Sequence, residues 1–210
     1  MKLVILIPAF NEEGSIQQVI NSVPKTIEGI SKVLVLVVDD GSKDKTLTLA
    51  EQAGAIVVSH PQNRGVGAAF NTGLIKALEL GSDVMVNIDA DGQFSATDIP
   101  VLIEPIIAGK ADFVSGDRFT DKNGHLARPE YMSALKYWGN KQMSKLISLL
   151  TQKQFADVSC GFRAYSREAM LRMNLTRSFT YTQESFIDLA NKDVDIKLIP
   201  VNVKYFEGRK

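Results

Sequence analysis

The chain has 210 residues, 24 basic and 24 acidic side chains, a formal net charge of zero and a hydrophobic content of 45%. That length and composition suit one folded unit with a sizeable core, and the balanced charge excludes a general nucleic-acid binder, which needs a basic field. A lone cysteine, Cys160, excludes an internal disulfide and fits a reducing compartment. No stretch approaches the ~20 apolar residues of a membrane span. The N-terminal "MKLVILIPAFNEE" has too short an apolar core for a signal peptide. The expectation is a cytoplasmic protein, free to act peripherally at the cytoplasmic membrane face.

The first half alternates. Leu3 to Ile7 is a continuous apolar run, as buried parallel strands show. Asn11 is placed to cap a helix reaching about Val23. Val33 to Val38 is the next strand, Asp44 to Ala53 a helix stopped by Gly54, and Ala55 to Ser59 a third strand. Val66 to Leu80 is a helix, and Val84 to Ile88 a fourth strand. Thr97 to Ala108 carries an apolar stripe of Ile99, Leu102, Ile103, Ile106 and Ile107, with Pro105 as a kink site. Ala111 to Gly116 is a fifth strand. The second half holds a long amphipathic helix over Tyr131 to Leu150, two motif-rich stretches, and a strand in "VDIKLIPVNVKYF".

Strand–helix alternation predicts an α/β fold, a mostly parallel sheet with helices on both faces, in which ligands bind beyond the carboxyl ends of the strands. "PAFNEE", "DDGS", "DADGQ" and "GDRF" all fall at such ends. The third contains two carboxylates one residue apart, Asp89 and Asp91. Two unit charges held ~4 Å apart repel by ~4 kcal/mol at an effective dielectric of 20, so a site holding both ionised needs a cation. Mg or Mn, taking one or two carboxylates plus a substrate's phosphates, suits Asp89, Asp91 and the amide oxygen of Gln93. The competing reading is a turn whose aspartates bond their own backbone. In "VVDDGS" a strand-end carboxylate is placed to accept from a base or a ribose. Asp39 and Asp40 are expected to divide, one binding nucleotide and one structural. "GVGAAF", Gly65 to Phe70, lacks the third glycine of a dinucleotide loop and follows the third strand, so its glycines are expected to serve packing or a turn.

Taken in order, "IPAFNEEGSI", "VVDDGSKDKT", "NRGVGAAFNTG", "NIDADGQF", "SGDRF" and "SCGFRAYSREA" resemble the family 2 glycosyltransferases, and within them the polyprenyl-phosphate sugar transferases. The resemblance spans nearly the whole chain. It implies a glycosyltransferase A-type fold and one domain over residues 1–210, with a nucleotide-sugar half to 118 and an acceptor half beyond. It also implies a nucleotide-sugar donor of GDP-mannose or UDP-glucose type, Mg or Mn, and inversion at the anomeric carbon. Pro8, Phe10, Glu12, Val37 and Asp39 would line the nucleoside pocket. Asp89, Ala90, Asp91 and Gln93 would take the diphosphate and metal, and Arg118 the sugar or phosphates. Asp157, Gln183 and Glu184 would face the acceptor. Where the mannosyltransferases carry a phosphate-binding arginine and lysine, this chain offers Arg209 and Lys210 and stops, which points to a truncated C-terminus. The Q-x-x-R-W signature of processive polymerising enzymes is absent, since Gln183 is followed by Glu184, Ser185 and Phe186.

A lipid phosphate acceptor needs no general base, because its second pKa of ~6 leaves it an oxyanion at neutral pH. A hydroxyl acceptor needs one, and Asp157 and Glu184 are the candidates. From Lys122 to Lys153 there are six basic residues, and Glu130 is the one acid, so this stretch suits a lipid phosphate at a membrane surface. The competing reading is a solvated helix face, with Leu135, Leu146, Ile147 and Leu150 in the core; Trp138 is assigned to packing. Alternatives in other classes are transfer to a glycan or protein hydroxyl, a nucleotidyltransferase, and a non-catalytic sugar-nucleotide binding module. The oligomeric state leaves no signature.

Overall fold

Leu3 to Ile7 has no charged or branched-polar residue to expose, and the fold uses it as the centre of a sheet. The computed structural model describes residues 1–121, 123–174 and 181–204. Strand β1 (Lys2–Ala9) lies between β2 (Lys32–Asp39) and β4 (Val84–Asn87), parallel to both, with β3 (Ile56–Ser59) beyond β2. On the other side follow β6 (Arg163–Ser166), β5 (Phe113–Asp117) and β7 (Ile196–Pro200). The order is β3-β2-β1-β4-β6-β5-β7, and β6 alone runs antiparallel to its neighbours. The chain leaves β1 in one direction to β2 and β3 and returns on its other side as β4. The switch point therefore lies above β1 and β4, where such sheets bind ligands.

Period-two alternation divides β1 between two layers. Leu3, Ile5 and Ile7 meet helices α1 (Ile16–Ser22) and α4 (Ile99–Ile107) through Ile16, Val19, Leu102 and Ile103. Val4 and Leu6 meet the opposite layer, including Phe70, Leu74 and Ala77 of α3 (Val66–Glu79). Helix α3 approaches β1 so closely that a Cβ on Gly73 would collide with the Leu6 side chain. The helices α5 (Ala134–Thr151), α6 (Arg167–Arg172) and α7 (Tyr181–Ala190) complete that second layer, and α2 (Thr46–Gln52) connects β2 to β3.

Several boundaries differ from expectation for local reasons. Helix α1 starts at Ile16 with Ser15 at its N-cap, not at Asn11. Asn11 is instead in the left-handed region at φ 55°, and its side-chain oxygen takes the Lys43 N–H at 2.8 Å. The long helix starts at Ala134, capped by the Ser133 hydroxyl, because Tyr131 has a φ of 63°. Strand β6 lies hidden within "CGFRAYSREA", too short to declare itself between motifs. The last strand ends at Pro200, and the expected Tyr205, Phe206, Arg209 and Lys210 lie outside the described residues. The α5 face expected in the core is reversed. Ile147 is buried, but Leu135, Leu146, Leu150 and Trp138 are exposed, because the helix packs on its small and polar residues Ser144 and Ser148.

Candidate active site

The loops after β1 and β2 are laced together. The Asn11 N–H donates to Ser42 Oγ at 2.9 Å, the Glu12 N–H to Thr46 Oγ1 at 2.8 Å, and the Lys45 N–H to Glu13 at 3.0 Å. This fixes "PAFNEE" against "GSKDKT". The two aspartates at the end of β2 are both buried and differ in their partners. Asp40 accepts from the Arg64 and Gly65 N–H groups at 3.0 and 2.8 Å and pairs with His60 Nδ1 at 2.7 Å, so it is a structural group buried in the fold. His60 is in turn 2.9 Å from Thr72 Oγ1. The Gly65 of "GVGAAF" thus serves Asp40 and caps α3 at a φ of 90°. Asp39 accepts from the Ser42 N–H at 3.2 Å and the Ser59 hydroxyl at 2.8 Å, on the side where the loops meet. Phe10 is exposed beside them, and Pro8 is buried. Val37 and Ala90, the other two residues expected at the nucleotide, are buried among the α1 and α4 residues.

Beyond β4 the chain turns through Asp89 to Gln93. The Gln93 N–H donates to Asp91 Oδ1 at 2.9 Å, so the expected turn exists in addition to the paired carboxylates. Burial, and then repulsion from Asp91, push the Asp89 carboxyl up to about 6, against the opposing pull of Arg118 and Arg163. Glu12 adds to the upward shift, so three acidic loop residues and Arg118 share one neighbourhood. Asp91 also borders a cavity of about 540 Å³ between α1 and residues 92–96, reaching Lys204.

Asp89 rests on a glycine. A Cβ at Gly161 would sit 2.6 Å from Asp89 Oδ2, and the Asn87 side chain holds the Gly161 carbonyl at 2.8 Å. Two residues on, Arg163 is fully buried and donates to the Cys160, Thr182 and Val158 carbonyls at 2.6, 2.7 and 3.0 Å, and to Ser185 Oγ at 2.6 Å. Arg118 forms a two-pronged pair with Asp157, Nε to Oδ2 at 2.7 Å and Nη2 to Oδ1 at 3.0 Å. Asp157 is fully buried and also accepts from the Arg118 and Ser159 N–H groups. Both its oxygens are thereby engaged. It anchors Arg118, with each oxygen accepting two bonds from within the protein. Gln183 reaches Ser159 at 3.5 Å, and Glu184 is half-buried on the first turn of α7.

Sequence reasoning missed His60, Asn87, Gly161 and Arg163. Asn87, a polar residue ending an apolar strand, and Arg163, a charge entering "AYS", were the available signals. Among the described residues no three His, Cys, Asp or Glu side chains gather to hold a metal unaided. The donor set suits a hard divalent ion only if a ligand's phosphates complete its shell. The Asp89 carboxyl, raised by burial and by Asp91 in spite of Arg118 and Arg163, fits that requirement.

The chain resembles known proteins along most of its length. The chain is 30% identical over 223 residues to the UDP-N-acetylglucosamine–dolichyl-phosphate N-acetylglucosaminyltransferase of Methanococcus voltae, covering 97% of this chain and 86% of the relative. It is 29% identical over 202 residues to the dolichyl-phosphate hexose transferase of Haloferax volcanii, covering 95% and 81%. Among solved structures, the glucosyl-3-phosphoglycerate synthase of Mycobacterium tuberculosis, in complex with Mn²⁺, UDP and glucosyl-3-phosphoglycerate, superposes with a TM-score of 0.76. The match has 22% identity over all of this chain and 73% of that one, and the fold is accordingly the glycosyltransferase A type. The model named Glycosyl transferase family 2 matches residues 4–172, and the chain belongs to that family.

Proposed function

We propose that this glycosyltransferase moves a sugar from a nucleotide-sugar to a polyprenyl or dolichyl phosphate, with inversion at the anomeric carbon. The observation that carries the reading is the crowding of Asp89 and Asp91 beside Arg118 at the switch point, a site with an excess of oxygen donors that a diphosphate and Mg or Mn would complete. The names of the Methanococcus and Haloferax relatives favour the lipid-phosphate acceptor, and the metal in the mycobacterial structure favours a divalent ion.

The reaction is an in-line displacement. An acceptor phosphate oxygen forms a bond to the anomeric carbon as the bond from that carbon to the diphosphate oxygen breaks, and the electron pair leaves with the nucleoside diphosphate. A bound divalent ion, held by Asp89, Asp91 and Gln93, would neutralise charge on the diphosphate. Arg118 adds a fixed positive charge to the same leaving group, and Asp157 holds its guanidinium in orientation. Asp39, with Phe10 and Glu12, receives the nucleoside. Gln183 and Glu184 border the acceptor side, where an ionised phosphate attacks without a base. The whole chain works as one unit, cytoplasmic and peripheral to the membrane. Transfer to a hydroxyl is the second reading, and then Glu184 is the base, because Asp157 has both oxygens occupied.

Incubation with Mg or Mn, a short-chain polyprenyl phosphate, and labelled GDP-mannose or UDP-glucose tests this. Label passing into the organic phase, and lost in Asp91→Asn, is the expected result. Metal-dependent donor hydrolysis without transfer would shift the acceptor to a hydroxyl. Donor binding without turnover would make the chain a binding module.

A further inference from the structure

Helix α5 is amphipathic in the wrong sense for a water-facing helix. Its inward face is small and polar: Ser144 and Ser148 are buried with Ile147, and the Ser144 hydroxyl has no partner among the described residues. Its outward face is apolar. Leu135 is 78% exposed, Trp138 61% and Leu149 76%, and Met143, Leu146 and Leu150 are exposed with them. At 100° per residue these six fall within one stripe. Lys141 and Lys145 border it on one edge and Lys136 on the other, and the helix carries no acid.

A groove of about 750 Å³ runs along the same helix, lined by the apolar Leu126 and Leu149 and the basic Lys141 and Lys145. Phe119, next to Arg118, stacks edge-on against Tyr137 of α5, with ring centres 5.2 Å apart, so the helix adjoins the candidate active site.

We infer that α5 docks in the plane of an anionic lipid surface, its leucine and tryptophan stripe in the acyl boundary and its lysines at the headgroups. An apolar stripe edged by lysines, with no acid in the helix, is the pattern of an interfacial helix. Anionic headgroups complement the lysine border, each basic residue contributing near the surface. A second copy is a poorer occupant: pairing two α5 faces brings lysine borders of like charge together. The inference rests on the geometry of α5. It joins the proposed function only in the lipid acceptor, and turnover of a short-chain acceptor without vesicles tests that function separately.

Trp138 is the single tryptophan of the chain, so its emission reports on this face alone. The experiment titrates the intact protein with vesicles containing phosphatidylglycerol, with phosphatidylcholine vesicles as control, and repeats the titration with brominated acyl chains. The expected result is a shift of Trp138 emission to shorter wavelength and bromine quenching with the anionic vesicles. Lys141→Gln with Lys145→Gln should weaken the partition roughly 30-fold. Leu146→Ser with Leu149→Ser, both exposed and so neutral to folding, should abolish quenching while the thermal melt is unchanged. Emission unmoved by anionic vesicles would overturn the inference. So would a shift that appears with protein concentration in the absence of lipid, which would assign the face to a second copy, or one that requires an acidic protein.

Discussion

Asp89 pays for its position in protonation. In the unfolded chain its carboxyl loses its proton near 3.8, and in the fold it keeps it to about 6. The folded pKa is the higher one, so the folded state binds the proton more tightly. The metal-free protein therefore loses stability as pH rises from 3.8 to about 6, and the loss persists above that range. The ceiling is roughly 3 kcal/mol, several degrees in Tm for a chain of this size. Asp89→Asn removes the ionisation. Its metal-free melting temperature should match wild type near pH 4 and exceed it above pH 6, in thermal melts across that range. Mn²⁺ with whichever of GDP and UDP binds should narrow the gap by stabilising wild type. A gap of equal size at every pH would show that charge burial is not its source. At this scale the carboxylates were legible in sequence, because two acids at a strand end have few uses. Gly161 was not legible. Its requirement comes from the approach of Asp89 Oδ2 across the sheet, a contact between residues 72 positions apart that no local pattern records.

Arg163 shows how one element places the others. It leaves β6 and ties together the carbonyls of Val158 and Cys160 and the first turn of α7, while its guanidinium lies over the Phe113 and Phe186 rings at 5.6 and 5.0 Å. No carboxylate pairs with it in these bonds; backbone carbonyls share its charge. Lysine has no planar fork: its three donors share one nitrogen and cannot span the carbonyls that Nε, Nη1 and Nη2 of Arg163 meet separately. Arg163→Lys leaves buried acceptors without donors, at about 1–3 kcal/mol for each one abandoned. Urea unfolding should show a loss of roughly 3 kcal/mol or more with an unchanged m-value. A loss below 1 kcal/mol would mean that water enters and replaces the guanidinium. The parallel half of the sheet was legible because its strands are apolar runs and its helices are periodic. Strand β6 was hidden because four residues carry no period, and its pairing with β4 and β5 is decided by tertiary contacts. The reversed α5 was hidden for a different reason: periodicity identifies an apolar face without saying which way the helix turns it.

Cys160 joins these levels. It is fully buried, below Gly116 and beside the segment that carries Asp157 and Gly161, and burial pushes its thiol up to about 12. A thiol so held reacts only when the structure opens, so its labelling rate measures the population of opened molecules. The opening must part β5 from the 157–161 segment, the same segment that supports Asp89 and anchors Arg118. Ligand binding and Cys160 protection are therefore linked through one equilibrium. A ligand that binds the closed form alone reduces the open population by the factor 1 + [L]/Kd, about 100-fold at 100 times Kd. Labelling by a thiol reagent at pH 8 should slow by that factor when Mn²⁺ is added with whichever of GDP and UDP binds, and Asp91→Asn should remove the protection. Slow labelling that ignores the bound nucleotide would mean that this segment opens without disturbing it, and the supporting glycine, arginine pair and carboxylates would then be independent parts.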